Sequence, residues 1–574
     1  MEQEIGSKTQ AFRTRADYHV YPPVLEDVRD WPIYKVSELR DSFILKLNED
    51  VFSRLTQEHE GKLYDLIAKT IFNERIRIKE EPWKVDPQNE MQTWNSLHKR
   101  LIEAHDNGNR EEQLASYHKI LHEIIDRYSE EIVGTFRLKT FKFARKFLTF
   151  FFNKLLNTGA AIRNFRRSMY KKGMSIHERL ICQGSVDKVR SLMTKGTVVM
   201  VPTHFSNLDS ILIGYAVDSV VGLPAFTYGA GLNLYNAGYA AYFMNRLGPY
   251  RVDRRKKNSI YLQTLKGMSK LSIEWGVNNL FFPGGTRSRS GALESNLKMG
   301  LLGTTIEAQR SLFEKNRDTK IFIVPVILGY HFVLEAQFLI EQHLRSQGKE
   351  FYLRKNDQSY SFRKVARFVW RLATRKSDIT LSFGKPMDVL GNFVDDDGQS
   401  LDRHGNELDI KDYFRADGKI EENLQREREY TKILANRVVE RYHKDNIVLS
   451  SHIVAFAGFQ LLQMEYPNLD LYALMRISPE DFSFSTDRMH DILEQLKTRL
   501  FELEKEGKVK LSPQISWSND KLLRDGIDKM GSFHAMQPLM IDKDYQLIVS
   551  QNFKILYFYR NRLLGYGLEN LKFS

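Results

Sequence analysis

The chain has 574 residues, of which 42% are hydrophobic and 27% are charged, and this length allows two or three domains with a large core. Its net charge of +13 indicates an anionic partner: nucleic acid, an acidic membrane face or an acidic carrier protein. The only cysteine, Cys182, excludes an internal disulfide. No uncharged apolar run approaches the ~18 residues of a membrane-spanning helix, so we expect none.

The first region, residues 1–130, is predicted to be helical. Its opening residues lack the basic and apolar parts of a signal peptide. A polar leader extends to about Pro32, and helices are predicted over Ser53–Phe72 and Glu111–Arg127.

The second region, residues 131–445, begins with a basic and aromatic segment. Between Ile132 and Ile176 there are eleven Lys or Arg residues and no Asp or Glu. The phenylalanines interleaved with them are Phe136, Phe141, Phe143, Phe147, Phe150, Phe151 and Phe152. Such a helix can lie in the interface of an anionic bilayer, where each cation contributes ~1 kcal/mol. We favour this interpretation over a helix that packs against the core and exposes a charged face.

A histidine and an aspartate lie five positions apart where a buried strand is predicted to end. The strand is Gly196–Val201, a short apolar and β-branched run, and Ile211–Val217 predicts the start of a buried helix. The pair His204 and Asp209 lies between these two elements. Its position therefore indicates a strand-to-helix turn.

The turn decides whether the two side chains can meet. On one continuous helix, positions i and i+5 are about 140° apart. His204 and Asp209 can meet if the histidine lies on the turn, Ser206 or Asn207 caps the helix, and the aspartate falls in its first turn. The aspartate would then accept from one ring nitrogen and leave the other as a general base.

Two later segments carry groups suited to binding an anion. A turn glycine runs into a basic cluster that contains Arg254 and Arg255. The Gly-rich loop, Pro283–Gly291, can present backbone N–H groups to an oxyanion or a phosphate, and Arg287 and Arg289 add charged donors.

The order of elements predicts the fold class. Further buried strands are expected at Ile321–Gly329 and Ile379–Pro386, and strand–loop–helix units in this order predict an α/β fold with a mostly parallel sheet flanked by helices. The third region, residues 446–574, is again predicted to be helical. It includes a helix that begins after Ser485 and ends before Gly507.

Four motifs of this chain resemble those of the glycerolipid acyltransferases. The family's H-x4-D, G-x-x-x-V-D-R, P-E-G-T-R and V-P-V motifs correspond, in the same order, to His204–Asp209, Gly248–Arg254, Pro283–Arg287 and Val324–Val326. The resemblance covers about residues 190–390.

Two segments are most similar to the long glycerol-3-phosphate acyltransferases of that family. Arg287–Gly291 followed by Lys298–Gly300 is similar to their R-S-R-T-G and K-x-G segments. Phe558–Asn561 is similar to a Y-Y-R-N segment that the short lysophosphatidate acyltransferases lack. One position departs from the pattern, because Gly284 stands where the family has glutamate. The loss of this carboxylate predicts a more flexible loop and leaves the identity of the acyl acceptor open.

The resemblance implies transfer of a fatty acyl group from a thioester of coenzyme A or acyl-carrier protein to a hydroxyl of glycerol 3-phosphate, the first step of phospholipid synthesis. His204 would be the general base, oriented by Asp209. Backbone groups of Gly284, Gly285 and Thr286 would bind the oxyanion.

The acceptor is a dianionic phosphate, which favours arginine. The candidate phosphate-binding residues are Arg254, Arg255, Arg287 and Arg289. No cofactor or metal is expected, because the H-x4-D pair supplies at most two ligands and no cysteine or second histidine lies nearby. The expected partners are the acyl donor, glycerol 3-phosphate and a membrane surface, and the expected location is peripheral, on the cytoplasmic face of the membrane.

Several alternatives stay open. The acceptor could be 1-acyl-glycerol 3-phosphate or dihydroxyacetone phosphate, or the chain could be a non-catalytic lipid-binding relative, for which Gly284 is the motive. A helix followed by Gly507–Leu511 could form a helix-and-wing nucleic-acid-binding element, but the acidic residues of Met489–Glu506 disfavour it. A second H-x4-D sequence, His404–Asp409, lies in a polar loop and is interpreted as accidental.

Overall fold

The computed structural model describes residues 20–83, 85–107, 109–163, 180–235, 238–347, 378–478, 482–531, 534–542, 547–571 and 573, with the backbone alone for 151–163 and a few others. The predicted leader up to residue 19 and the basic segment 164–176 lie outside the described residues.

Six helices make up the described N-terminal part and lead into the sheet. They are α1 (Pro32–Glu38), α2 (Arg40–Glu58), α3 (Leu63–Glu80), α4 (Glu90–Asn107), α5 (Arg110–Ile132) and α6 (Leu138–Arg163). The helix predicted over Glu111–Arg127 is confirmed within α5. The prediction of a single helix over Ser53–Phe72 is wrong. The helix is interrupted between α2 and α3, where Gly61 adopts a left-handed conformation with φ of 74°.

A seven-stranded sheet forms the centre of the molecule. Its strands are β1 (Leu180–Gly184), β2 (Gly196–Pro202), β3 (Thr227–Gly231), β4 (Tyr250–Val252), β5 (Asn279–Leu280), β6 (Lys320–Tyr330) and β7 (Ile379–Phe383). Their order is β1-β7-β6-β2-β5-β3-β4, and all neighbours are parallel except β6 and β7. The predicted α/β class with a mostly parallel sheet is confirmed.

The strand ends determine where loops can meet. β2 pairs with β5 on one side and with β6 on the other, all in the same direction. The carboxyl ends of these three strands therefore lie at one edge. β2 is buried along almost its whole length, as expected for an apolar run covered on both faces.

The helices of the central part alternate with the strands. They are α7 (Val186–Leu192), α8 (Asp209–Ser219), α9 (Gly238–Met244), α10 (Ser259–Glu274), α11 (Met299–Glu314), α12 (Ala336–Gln347) and the helix Leu424–Lys444. Residues of α10 such as Ile260 and Tyr261 belong to the same hydrophobic core as α2 to α5. The N-terminal helices therefore pack against α10, which connects them to the sheet region.

The segment between β7 and Leu424 is buried up to Gly391 except at Lys385, is largely exposed beyond that point, and carries two short hairpins. These pair Ser400–Leu401 with Glu407–Leu408 and Arg415–Ala416 with Lys419–Ile420. The second H-x4-D sequence belongs to this surface. His404 is exposed, and the Asp409 side chain accepts from the amide of Lys411, which caps a short helical turn.

The C-terminal part shares one continuous core with the sheet. Its helices are Ser450–Glu465, Leu471–Leu474, Thr486–Lys505, Asn519–Gly531 and Phe553–Arg560, and its strands Ser483–Ser485, Met540–Asp542 and Leu547–Val549 form a small antiparallel sheet. The predicted helix start at Ser485 is confirmed, since its hydroxyl accepts from the amide of Arg488. Lys510–Leu511 pairs with Ile447–Val448 in parallel and so forms no hairpin wing.

One further property concerns membranes. Within the described ranges, no helix combines the length and the apolar composition that crossing a bilayer requires.

Candidate active site

The His204 and Asp209 side chains meet at the end of β2. Nδ1 of His204 lies 2.8 Å from Oδ2 of Asp209. An ionised carboxylate can only accept, so Nδ1 carries the proton and Nε2 keeps its lone pair. Nε2 has no hydrogen-bond partner among the described residues, and the histidine side chain is 16% exposed. This arrangement suits a general base that is open on one side.

The local chain folds around the Asp209 carboxylate. Oδ2 of Asp209 also accepts from the amides of Phe205 at 2.6 Å and Ser206 at 2.9 Å. Asp209 begins α8, as predicted, but the cap position is Leu208 rather than Ser206 or Asn207. The predicted cap position is wrong because the helix begins later, at Asp209; the Ser206 hydroxyl accepts from the amide of Leu208, just before the helix, and donates to Glu335.

Two buried side chains support the pair from behind. The Tyr330 hydroxyl, at the end of β6, donates to Oδ1 of Asp209 at 2.5 Å. The Arg562 guanidinium lies over the Phe205 ring at 4.2 Å and donates to the Asn446 side chain and the Leu328 carbonyl. Burial lowers the pKa of Arg562 to about 10. These contacts hold the turn that carries His204 against β6.

The Gly-rich loop follows β5 and closes over His204. The Phe282 ring stacks on the imidazole with centroids 4.1 Å apart. The amide of Ser288 donates to the His204 carbonyl at 2.7 Å. The amide of His204 donates to Oε1 of Glu294 at 2.8 Å. The Gly-rich loop and the residues next to it, from Phe282 to Glu294, therefore bind both the ring and the backbone of the candidate base.

The Gly-rich loop contains two amides suited to binding an oxyanion. The amide of Gly285 is used inside the turn, where it donates to the Phe282 carbonyl, and its φ is 75°. The amides of Gly284 and Thr286 donate to no other part of the chain that the structure describes. Of the three predicted donors, these two are available.

Arg254 and Arg287 interact electrostatically. Desolvation, and after it the positive charge of Arg287, lowers the pKa of Arg254. Among the described residues no hydrogen bond or ion pair involves the Arg254 side chain, whereas Arg287 lies 3.5 Å from Glu335. Two like charges repel unless an anion lies between them, so the pair is suited to a phosphate.

Arg255 and Arg289 lie in other surroundings. The Arg255 guanidinium donates to Asp86, Asp253 and the Glu81 carbonyl, and its side chain is buried. These contacts saturate it, and we correct its assignment from substrate binding to attachment of the N-terminal helices. Arg289 is exposed, and its charge adds to the effect of burial, which lowers the pKa of His343 on α12. The structure thus places it towards α12.

The C-terminal part completes the site. The Asn561 amide group donates to the Ser290 carbonyl at 3.0 Å. A Cβ at Gly291 would lie 2.1 Å from the Phe558 carbonyl oxygen, so this glycine lets the helix Phe553–Arg560 approach the Gly-rich loop. The Tyr559 hydroxyl accepts from the amide of Val333. The segment Phe558–Asn561 therefore positions the Gly-rich loop from outside the central sheet.

The sequence model of the family described as Acyltransferase matches residues 183–329, which include the pair, the basic cluster and the Gly-rich loop. This part of the chain is therefore similar to acyltransferases.

Curated proteins named glycerol-3-phosphate acyltransferase are similar to a larger part of this chain. The glycerol-3-phosphate acyltransferase of Pseudomonas paraeruginosa is 26% identical over 355 residues, which are 61% of this chain and 36% of that protein. The glycerol-3-phosphate acyltransferase of Aeromonas hydrophila is 26% identical over 279 residues, which are 48% of this chain and 30% of that protein. The chain therefore spans at most 36% of the length of these curated relatives.

Sequence reasoning missed four residues of the candidate site: Glu294, Tyr330, Glu335 and Arg562. Each contacts the H-x4-D turn from a distant position, and Glu335 bridges it to Arg287 by accepting from Ser206 and from the amide of Asn207. Burial raises the pKa of Glu335. The one available signal was the position of Arg562 directly after the Phe558–Asn561 segment.

Proposed function

We propose that this protein transfers a fatty acyl group from a thioester to a hydroxyl of glycerol 3-phosphate, at the surface of a membrane. The observation that carries the proposal is the His204–Asp209 pair, whose Nε2 lies in a site that also contains available backbone amides. The names of the similar proteins support the acceptor.

The reaction begins when the acceptor hydroxyl gives its proton to Nε2 of His204 and its oxygen attacks the thioester carbonyl carbon. Asp209 stabilises the imidazolium that forms. The tetrahedral oxyanion accepts from the amides of Gly284 and Thr286, and such donors contribute about 3 kcal/mol each in other acyl transfers. The carbon–sulfur bond then breaks, and the imidazolium proton goes to the thiolate. Ester and free thiol are the products, with no acyl-enzyme.

The phosphate of the acceptor binds between Arg254 and Arg287. The dianion removes the repulsion between the two guanidinium groups, and each hydrogen bond to a charged group is worth about 1.5–3 kcal/mol. Glu335 orients Arg287 and at the same time holds Ser206 and Asn207. One carboxylate thus couples the phosphate site to the turn that carries His204.

The membrane surface is proposed to bind α6. Phe143, Phe147 and Phe150 lie at spacings of four and three residues, so they share one face of this helix, and they are 58%, 39% and 62% exposed. The opposite side of α6 is attached to α8, where Arg145 pairs with Asp218. An exposed aromatic face on a helix rich in lysine and arginine suits an anionic bilayer, and it delivers the acyl product next to the site.

The test is thioester consumption by purified protein with anionic liposomes. Glycerol 3-phosphate, 1-acyl-glycerol 3-phosphate and dihydroxyacetone phosphate are offered in parallel, each with acyl-coenzyme A and with acyl-carrier protein. We expect turnover with glycerol 3-phosphate that His204→Ala abolishes. His404→Ala, in the exposed second H-x4-D sequence, is the matched control and should keep full activity.

The other outcomes are equally informative. Turnover with a different acceptor alone would replace glycerol 3-phosphate in the proposal. Equal turnover by His204→Ala and the wild type would exclude His204 as the base. No turnover from folded protein with any pair of substrates would favour a non-catalytic lipid-binding relative.

A further inference from the structure

Glu294 lies where a side chain at position 284 would point. A Cβ added to Gly284 would meet Cγ of Glu294 at 3.0 Å and Oε1 at 3.2 Å. Both contacts are tighter than nine in ten of those that real Cβ atoms make, so the Glu294 side chain already occupies the space above Gly284. In the related motif the residue at position 284 is glutamate, and here a carboxylate reaches the same space from ten positions further along.

The Glu294 carboxylate acts on the backbone of His204. Oε1 of Glu294 accepts from the His204 amide at 2.8 Å, while the Ser288 amide donates to the His204 carbonyl at 2.7 Å. Both polar groups of the His204 backbone are therefore bound by the Gly-rich loop and the residues just after it. The imidazole can keep its direction only if this backbone is held.

Burial distinguishes Glu294 from an ordinary surface glutamate. The residue is partly exposed as a whole, yet its Oε2 atom is buried and has no partner within the described part of the chain. Burial, with a smaller contribution from the Asp209 charge, raises the pKa of Glu294 to about 7, although the hydrogen bond from the His204 amide and the Arg562 charge oppose this shift. A buried carboxyl with one unsatisfied oxygen is costly to retain, so its position needs a reason other than solubility.

We propose that Glu294 is the positioning carboxylate of this site, that it replaces a glutamate at position 284, and that position 284 is glycine to make room for it. The proposal rests on the proposed function, because positioning is defined here by its effect on acyl transfer. It also revises the expectation of a loosened loop, since the carboxylate is supplied from another position.

A double-mutant cycle tests whether the two positions share one space. The variants are Glu294→Ala, Glu294→Gln, Gly284→Glu and the double variant Gly284→Glu with Glu294→Ala. Glu274→Gln is the control, because Glu274 is a buried glutamate of α10 that pairs with Lys270 and Lys315. It should leave acyl transfer unchanged.

Glu294→Ala should lower kcat by about 10–100-fold with little change in KM, because a displacement of a catalytic group by ~1 Å can lower the rate by about 10²-fold. Glu294→Gln keeps an oxygen for the His204 amide and should retain most of kcat. Gly284→Glu alone should lose activity and melting temperature, because two side chains then compete for one space. The double variant should be more active and more stable than Gly284→Glu alone.

Three results would overturn the proposal. Wild-type kcat in Glu294→Ala would remove the positioning role. Equal loss in Glu294→Gln and Glu294→Ala would show that an acceptor for the His204 amide is not what matters. Additive effects on melting temperature in the cycle would show that positions 284 and 294 do not share one space.

The thermal measurement separates this proposal from the proposed function. If the wild type shows no turnover with any acceptor, the function fails, and the cycle in melting temperature still decides whether Glu294 fills the space at Gly284. Non-additive melting temperatures support the shared space even then, and additive ones overturn it.

Discussion

In the variant Asp209→Asn, the carboxamide can reproduce the hydrogen bonds of the carboxylate but not its charge. Its oxygen can accept the three hydrogen bonds that Oδ2 now accepts, from Nδ1 of His204 and the amides of Phe205 and Ser206. Its NH₂ group can donate to the Tyr330 hydroxyl, which now donates to Oδ1 and can turn to accept. The turn should therefore keep its shape.

The charge matters because, in the proposed reaction, His204 becomes an imidazolium 2.8 Å from this side chain. General-base catalysis is worth about 10²–10⁴ in rate. We expect kcat/KM of Asp209→Asn to fall by this factor, which corresponds to about 3–5 kcal/mol of transition-state stabilisation.

Stability should respond differently. Charged acceptors strengthen hydrogen bonds by about 1 kcal/mol, and removal of a buried charge acts in the opposite direction, so Asp209→Asn should change the unfolding free energy by less than about 2 kcal/mol. Asp209→Ala leaves the amides of Phe205 and Ser206 buried without an acceptor, at about 1–3 kcal/mol each. Asp209→Ala should therefore be less stable by about 2–6 kcal/mol in total.

The assay combines thiol release from the acyl thioester with urea unfolding of the same preparations. A value of kcat/KM above one tenth of wild type in Asp209→Asn would refute the assignment of Asp209. Equal destabilisation by asparagine and alanine would refute the hydrogen-bond replacement on which the comparison depends.

Three further predictions concern charge, membrane and pH. Arg254→Gln should raise KM for glycerol 3-phosphate at least tenfold without loss of stability, whereas Arg255→Gln should lower the unfolding free energy by about 3–5 kcal/mol, because it removes the cation of Asp253 and one of the two cations that pair with Asp86; steady-state kinetics and urea unfolding measure the two effects. Phe143→Ser and Phe150→Ser should each weaken binding to anionic liposomes in a flotation assay, while Leu45→Ser, at an exposed position of α2, should not. Burial raises the pKa of Glu294 to about 7 from a usual value of 4.5, so its contribution to stability is present below that usual value and is lost as the pH rises through about 7. Glu294→Gln cannot ionise, so its unfolding free energy should rise by up to about 3 kcal/mol relative to wild type between pH 5 and pH 8. The same difference in unfolding free energy at both pH values would exclude a buried ionising carboxyl.

Short-range patterns predicted the elements that carry the site. The apolar run Gly196–Val201 became β2, and the turn after it brought His204 and Asp209 together, because a strand buried on both faces and a helix start are encoded by neighbouring residues. The helix predicted over Ser53–Phe72 was wrong where one residue decides the conformation. Gly61 permits a left-handed turn. The apolar residues of α2 and α3 continue the helical period on both sides of it.

Adjacent residues with the same chemistry could not be told apart. Arg254 and Arg255 are both arginines of one basic cluster, yet one is exposed near Arg287 and the other is held by Asp86, 169 positions away. Local sequence contains no information about such a partner. The same reason explains why the exposure of Phe143 and Phe150 required the structure.

The sequence by itself determined the local features of the candidate site: the His204–Asp209 pair at helix-start spacing, the Gly-rich loop with its amides, and the order of the strands that present them. These features depend on neighbours within a few residues, where backbone geometry leaves few choices. Only the tertiary structure decided which groups complete the site. Glu294 reaches the His204 amide from 90 positions away and the Arg562 side chain reaches the Leu328 carbonyl from 234 positions away, and contacts of this kind form only when the sheet and the C-terminal helices close one core.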